Sequence, residues 1–407
     1  MGNILWGIGG MMVVLLIAFS LSNNRKSIQY RTILGGLAIQ VTFAFIVFAT
    51  KWGQSVLSFM SDLVNQLMGY TSEGISFLYG PLITLIDQAD LGMMFAFQVL
   101  PTIIFFSSLI AVLYHLGIMQ LFIMWIGGFL SKVLGTSKAE SVNAAGNIFV
   151  GQTEAPLLIR PFIQKMTTSE LFAVMTGGFT SIAGSTLVGY TLLGINAEYL
   201  IAASFMAAPA ALVMAKLFVP EVEEVAAQDD VHPEDNDTAN VFDAAANGAT
   251  TGLKLAVNIA AILLSFIALL ALLNGLFAFA GSWFGVDLSL EQLLGYLLAP
   301  LAFVVGVPFD EAVRSAGFIG QKLVSNEFVA FSSLGDVQGE LSKKAEIVTT
   351  FALTGFGSLS GIGIQLGAIG GLAPDRRKDI AHLGLRAVAA ATLANLLSAS
   401  IAGMFLV

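Results

Sequence analysis

The sequence has 407 residues, of which 56% are hydrophobic and 11% are charged. A water-soluble domain usually carries about a quarter charged residues, so this composition excludes an ordinary soluble protein and predicts a protein dissolved in lipid. The net charge of −9 arises largely from one acidic segment, residues 221–243, which predicts a solvated linker and gives no support for nucleic acid binding.

Taken in chain order, the first apolar segment is residues 4–21. Arg25, Lys26 and Arg31 follow this segment, whereas a signal peptide carries its positive residues before the apolar run. The positive-inside rule therefore predicts a first transmembrane helix that ends in the cytoplasm. Residues 33–50 are predicted to form the second span, which returns the chain to the outer face.

Residues 52–70 interleave polar and apolar side chains at helical spacing, which predicts a helix lying in the membrane interface. Four further spans are predicted at residues 93–128, 198–219, 251–284 and 381–406. A charged cluster at residues 375–379 precedes the last span, so the positive-inside rule places that end in the cytoplasm. Both chain ends are then expected on the outer side.

Two regions do not read as simple spans. The centre of residues 141–162 places glycine, an acid, an amide and proline together, and residues 290–321 have a similar centre around Gly306. Backbone that leaves the helix at membrane depth must be buried in protein or line a wet cavity. We therefore predict two re-entrant hairpins, the first with its tip at residues 151–156 and the second with its turn around Gly306.

After each predicted hairpin comes a span that is interrupted by glycine and hydroxyl residues, at residues 175–184 and 353–363. One further apolar span follows each of these. The order of hairpin, broken helix and helix thus occurs twice, and the number of crossings between the two copies makes them inverted. Inverted repeats of this kind are typical of transporters that work by alternating access.

Acidic side chains within apolar segments are the strongest candidates for function. A buried carboxylate costs several kcal/mol unless it is paired or wetted, so Glu154 and Glu327 indicate a site, with a structural ion pair as the alternative. Asn147, Gln152 and Thr153 lie beside Glu154. Taken singly, hydroxyl residues of the broken helices are as readily explained by close helix packing.

A transporter explains the paired hairpins, the buried acids and the repeat. A channel would need a continuous polar face or a filter lined by carbonyl groups, and neither is evident in the sequence. An intramembrane enzyme would need a nucleophile and base or a metal cluster, yet the chain has no cysteine and its histidines are scattered, at His115, His232 and His382. We therefore expect a transporter and no enzymatic activity.

Residues 147–157, NIFVGQTEAPL, resemble the signature of the concentrative nucleoside transporter family. Other motifs of that family follow in the same order in the second half: GVP at 306–308, NEFVA at 326–330 and Gly355-Phe356. The resemblance covers essentially the whole chain. It implies a sodium-coupled symporter that imports nucleosides such as uridine or adenosine across the inner (plasma) membrane.

The resemblance also implies an all-α polytopic fold with eight transmembrane helices, an interfacial helix and two re-entrant hairpins in inverted repeats. It implies a homotrimer in lipid, with transport inside each protomer. The implied divisions are scaffold helices at 1–132, a first transport repeat at 139–219, the acidic linker at 220–250, a sixth, scaffold helix at 251–285 and a second transport repeat at 289–407.

Site residues carry over by position from the same resemblance. The nucleobase is expected at Gln152, Thr153, Glu154 and Thr186; the ribose at Glu327, Phe356, Ser358 and Gly361; and sodium at Asn147, Val150, Ser181 and Ile182. Hard oxygen ligands suit sodium, and amide, hydroxyl and carboxylate groups suit base edges and sugar hydroxyls. The alternative is coupling to protons, if Glu154 or Glu327 titrates, or transport of a related nucleobase or ribosyl compound.

The chain departs from the family pattern within this implied site. Ser358 stands where the family typically has asparagine, and Gly361 stands where a serine is usual. Both family residues contact the ribose, so we expect fewer or shorter hydrogen bonds to the sugar here. Thr186 stands at a position where other family members can have an apolar residue. We expect this difference to alter the base pocket. We expect these changes to alter preference between nucleosides and not to abolish transport.

Overall fold

The computed structural model describes residues 2–88, 94–226, 238–283, 285 and 289–405. His232, the middle of the acidic linker, and the predicted span ends at Phe284 and Leu406 lie outside the described residues. The regular structure of the described residues is helical throughout. Seven described helices are long and apolar enough to cross a membrane, by length and composition.

The N-terminal part contains α1 (Gly2–Ser20), α2 (Tyr30–Ala44) and α3 (Lys51–Gln88). A wider π turn at Phe45–Ala49 extends α2, so both predicted spans are confirmed. The helix predicted at 52–70 is the first half of α3, which is 38 residues long. The prediction stopped early because the glycine, serine and threonine residues after Tyr70 have weak helix propensity, yet they do not interrupt the helix.

The single span predicted at 93–128 is wrong. The structure divides it into α4 (Phe95–His115) and α5 (Ile118–Leu134). Gly117 lies between them with φ of +78°, a left-handed conformation that ends helices and that glycine adopts without steric cost. The apolar residues continue without interruption across Gly117, so composition alone did not indicate the boundary between α4 and α5.

The first hairpin is present. A tight turn joins α5 to α6 (Lys138–Gly146), which begins with a capping box between Ser137 and Glu140. The chain then leaves the α-helix at residues 147–154 and resumes as a 3₁₀ turn, Ala155–Ile159, and a single helical turn, α7 (Arg160–Ile163). The predicted tip at 151–156 overlaps this irregular segment, which we call the first break.

The predicted interruption of the next span is also present. Helix α8 (Thr168–Thr180) ends at Ser181, and α9 (Gly184–Leu192) begins three residues later. Helix α10 (Ala197–Phe218) follows.

The second half begins with α11 (Val241–Ser282), a helix of 42 residues that packs along α4. It continues with α12 (Leu290–Val304), α13 (Ala312–Val324), α14 (Glu327–Gly335), α15 (Lys343–Leu353), α16 (Leu359–Leu372) and α17 (Arg377–Phe405). The order of helices in the first half, from α5 to α10, is thus repeated from α12 to α17.

The second hairpin needs a correction. Helices α12 and α13 do pack together around a turn at 305–311, with Gly295 against the carbonyl group of Val313. However, that turn lies away from the polar cavity described below, and Phe309 in it is 81% exposed. The second break, which corresponds to the first, is instead the gap between α13 and α14 at Ser325 and Asn326. Glycine and proline around 306 gave the stronger sequence signal, although they form only a connecting turn.

Burial divides the helices into an inner and an outer set. We compared the most apolar 18-residue stretch of each long helix. In this stretch, 94% is buried in α8–α9, 94% in α10 and 89% in α17, whereas 22% is buried in α1, 22% in α4 and 17% in α11. The broken helices and the long helices that follow them therefore form the core. The outer helices present apolar surface, which suits contact with lipid or with another chain.

Candidate functional site

A cavity of about 430 Å³ lies where the breaks of the two repeats converge. The first break contributes Gly151, Gln152, Thr153 and Glu154, and α9 contributes Ser185 and Thr186. The second repeat contributes Asn326, Glu327, Phe328, Phe356, Ser358, Ser360 and Gly361. All eight residues predicted for the nucleobase and the ribose line this one cavity.

The first break presents polar side chains because its backbone cannot continue as a helix. The Glu154 carboxylate accepts a hydrogen bond from the backbone N–H of Gly151 at 3.3 Å, which closes the turn. Gln152 is buried against α8, where a side chain at Gly178 would come within 2.9 Å of the Gln152 Cβ. Thr153 is exposed to the cavity. The amide, hydroxyl and carboxylate of these three residues therefore lie side by side. Together they can bind both the hydrogen-bond donors and the acceptors of a ligand.

The second break places Glu327 at the first position of α14. The Asn326 side chain caps this helix by accepting a hydrogen bond from the N–H of Val329 at 3.0 Å. The Glu327 carboxylate, 6% exposed, accepts a hydrogen bond from the Tyr190 hydroxyl of α9 at 3.2 Å. The Tyr190 ring packs between Phe328 and Phe331, with ring centroids 4.5 and 4.6 Å away. The first repeat thus orients the acid of the second.

The segment between α15 and α16 lies across the cavity. The Ser358 hydroxyl caps α16 by accepting from the N–H of Gly361 at 3.2 Å, and it also lies 3.0 Å from the Ser360 hydroxyl. Ser360 in turn donates to the carbonyl group of Ser325 at 2.9 Å. Ser358 is therefore held by its own helix, which leaves it less free to bind a ligand than the longer asparagine would be.

The four residues predicted for sodium lie in the first break and the α8–α9 break. The N–H of Gly184 donates to the carbonyl group of Phe149 at 3.0 Å, which ties the two breaks together. Asn147 is buried, and its amide donates to the carbonyl group of Asn143 at 3.0 Å. The Asn147 Oδ1 has no hydrogen-bond partner among the described residues. A buried amide oxygen without a partner suits a hard cation such as sodium.

No cluster of three or more His, Cys, Asp or Glu residues that could hold a metal occurs among the described residues.

The sequence did not single out Lys254, Asn258 and Ser360, which line the cavity, or Tyr190, which donates to Glu327 from α9. Lys254 and Asn258 line the cavity from α11 together with Thr251. These three polar residues recur at helical spacing on a helix that is otherwise strongly apolar, and that stripe was a readable signal. No sequence pattern indicated a role for Tyr190, because only the fold brings it close to Glu327.

Three family models match the chain. The model described as Na+ dependent nucleoside transporter N-terminus covers residues 9–82, the one described as Nucleoside recognition covers 96–196, and the one described as Na+ dependent nucleoside transporter C-terminus covers 199–403. The chain belongs to the concentrative nucleoside transporter family. It is accordingly a sodium-dependent membrane transporter of nucleosides and not an enzyme, and sodium is its coupling ion.

Relatives match over the whole chain. The transporter YutK of Bacillus subtilis is 54% identical, and the match covers 99% of this chain and 100% of YutK. The nucleoside permease NupC of Helicobacter pylori is 44% identical, with 99% and 98% covered. Sodium/nucleoside cotransporter 1 of Rattus norvegicus is 40% identical over 98% of this chain, which spans 63% of that longer protein.

Solved structures agree in fold. The structure of CNTnw in an inward-facing substrate-bound state has a TM-score of 0.94 at 48% identity, and the match covers 99% of this chain and 98% of that one. A variant of CNTnw in an outward-facing state has a TM-score of 0.96. The transporter family thus includes both ends of an alternating-access cycle, and the predicted all-α fold of transmembrane helices and re-entrant hairpins is confirmed.

Proposed function

We propose that the cavity between the two breaks is the nucleoside site of this transporter and that sodium binds in the adjacent first break. The main support for this proposal is that the predicted ligand-binding residues converge in the fold. Eight residues that are scattered from 152 to 361 in sequence line one cavity of about 430 Å³, which is the size of a small-molecule site. Symport then follows if the two ligands stabilise the same arrangement of the breaks.

Within the cavity, Gln152, Thr153, Glu154 and Thr186 form the side proposed for the nucleobase. The Thr186 hydroxyl donates to the carbonyl group of Ala183 at 2.8 Å, so it offers a ligand its lone pair. Gln152 Oε1 is buried without a hydrogen-bond partner among the described residues. Such groups favour a ligand that carries an amide-like edge, as nucleobases do.

The opposite side, Glu327 with Phe356, Ser358 and Gly361, is proposed for the ribose. A carboxylate accepts strongly from sugar hydroxyls, and Glu327 is held in place by Tyr190 at 3.2 Å. A serine at position 361 would bring a Cβ to 2.6 Å from the carbonyl group of Phe356. The local backbone of this protein therefore has no room for the serine that is usual in the family, which supports weaker sugar recognition.

Sodium is proposed to bind the side-chain oxygens of Asn147 and Ser181 and the carbonyl groups of Val150 and Ile182. The orphaned Asn147 Oδ1 supports this assignment. The hydrogen bond between Gly184 and Phe149 supports it further, because a cation there would bridge two segments that already touch.

The assembly and the topology remain part of the proposal. We propose a homotrimer in the inner membrane, with both chain ends on the outer side and transport within each protomer. The outer helices, with 17% to 22% of their apolar windows buried, offer the surface for lipid and for neighbouring protomers. The divisions at 1–132, 139–219, 220–250, 251–285 and 289–407 are proposed as scaffold and transport units. Two of their bounds differ from the helices: α5 continues to Leu134, and α11 begins at Val241, within the segment predicted as linker.

The test is uptake of radiolabelled uridine into proteoliposomes under an imposed sodium gradient. Glu154→Gln and Glu327→Gln should each abolish accumulation, because each removes a carboxylate from the cavity without changing its shape. Glu340→Gln is the matched control, since Glu340 forms an exposed ion pair with Arg314 at 2.6 Å, and it should accumulate uridine normally. Accumulation that survives in both cavity variants would overturn the proposal.

A further inference from the structure

A lysine is buried at the helix break of the second repeat. Lys322 lies near the end of α13 and is 1% exposed. Its ammonium donates hydrogen bonds to the carbonyl groups of Ala352 at 3.1 Å and Thr354 at 2.9 Å. These carbonyl groups belong to the last turn of α15 and to the start of the gap before α16. The Lys322 ammonium therefore satisfies backbone oxygens that the interruption of the helix leaves without an intrahelical donor.

The corresponding place in the first repeat is the site proposed for sodium. There, α6 ends beside the gap between α8 and α9, just as α13 ends beside the gap between α15 and α16. The two gaps also meet each other. Gly355 has φ of +101° and lies so close to α8 that a Cβ would fall 2.3 Å from the carbonyl group of Thr180. Each repeat thus brings the end of a broken helix to the centre of the molecule, and among the described residues of the two gaps a lysine donates only into the second.

The partners of Lys322 distinguish it from an ordinary buried ion pair. Lys216, another buried lysine, pairs directly with Glu140 at 2.7 Å and with Glu221 at 3.5 Å. Lys322 instead takes carbonyl oxygens, which are the ligands that sodium takes at unwound helices. The Glu327 carboxylate attracts it electrostatically from the adjoining break. The surroundings of Lys322 are therefore those of a bound cation.

We infer that the Lys322 ammonium is a tethered cation that fills, in the second repeat, the position that sodium fills in the first. This inference rests on the sodium site proposed above. Both breaks are then neutralised by a positive charge, but only one of the two charges can exchange with solution. The protein accordingly couples a single sodium ion to each nucleoside, and Lys322 is the residue that keeps the second position closed to sodium.

Removing the tethered charge should open the second position. Lys322→Asn leaves the carbonyl group of Ala352 without its side-chain donor and that of Thr354 with only the Asn395 amide, and it supplies an amide oxygen nearby. The buried Ser325 hydroxyl of the same break has no hydrogen-bond partner among the described residues. A sodium ion would restore the lost charge and satisfy these oxygens. Lys322→Arg keeps the charge and is the matched control.

The experiment measures the flux of radioactive sodium and of radiolabelled uridine in the same proteoliposomes. The ratio should be about one sodium per uridine for the native protein and for Lys322→Arg, and about two for Lys322→Asn. As a second readout, the purified proteins are melted in sodium and in choline. The stabilisation by sodium should be larger for Lys322→Asn than for the native protein, because binding to the folded state adds stability.

The outcomes separate the two proposals. A native ratio of about two, or a Lys322→Asn protein with the native ratio and the native response of melting to sodium, overturns the tethered cation alone. If Lys322→Asn does not fold, Lys322→Gln is measured in its place, and the native ratio still decides. A native protein whose uridine uptake is indifferent to sodium overturns the proposed sodium site itself.

Discussion

Single side chains of the cavity are constrained by groups that are far away in sequence. Glu327 is oriented by Tyr190 of the other repeat, and Ser358 is occupied by the first turn of its own helix. The chemistry available to a ligand is therefore set as much by these partners as by the residue types. This is why the family pattern alone predicted which residues meet but could not give their remaining hydrogen-bonding capacity.

At the residue scale, Ser358→Asn should improve sugar recognition. Asparagine caps a helix about as well as serine, so α16 should still begin at Leu359. The longer amide should then reach a ribose hydroxyl and contribute about 1 kcal/mol, which is roughly a fivefold fall in KM for uridine. The gain should be smaller for either 2′- or 3′-deoxyuridine. Uptake kinetics for the three nucleosides check this, and an unchanged KM for uridine would count against the assignment of position 358 to the sugar.

Elements that stop at membrane depth create the site. Each broken helix frees carbonyl and N–H groups, and capping side chains such as Asn326 and Ser358 satisfy part of them. The sequence predicted the first break and both interruptions well, because glycine, proline and polar side chains cluster there. The sequence analysis misplaced the second break. The glycine and proline of the connecting turn at 305–311 indicate a break more strongly than the dipeptide Ser325-Asn326 does.

At the element scale, Gly355→Ala should disable the second broken helix. Alanine is strained at φ of +101°, and its Cβ would lie 2.3 Å from the carbonyl group of Thr180. Gly363→Ala is the matched control, because Gly363 lies in α16 with nothing within 4 Å of an added Cβ, where alanine should add about 0.5–1 kcal/mol of stability. Melting temperature and uridine uptake are measured for both. Normal uptake by Gly355→Ala would show that the contact between the two breaks is not needed.

Over the whole molecule, composition and charge placement predicted the membrane class, most of the spans and the repeated order of elements. The division of 93–128 into α4 and α5 was missed, because a single glycine, Gly117, separates two equally apolar helices. The length of α3 was missed for the opposite reason, since weak helix formers lie inside a helix that continues through them. The approach of Tyr190 to Glu327 and of Lys322 to the α15–α16 gap depends on tertiary packing, which no local pattern encodes.

The central claim at this scale is that nucleoside and sodium bind to adjoining parts of one arrangement of the breaks, so each must strengthen the other. Binding of uridine to the purified protein in nanodiscs, measured by calorimetry in sodium and in choline, tests this most directly. The Kd for uridine should be about tenfold lower or more in sodium, a coupling of at least about 1.4 kcal/mol, and Asn147→Ala should abolish the difference while uridine still binds. A native Kd that is the same in both salts would contradict the account.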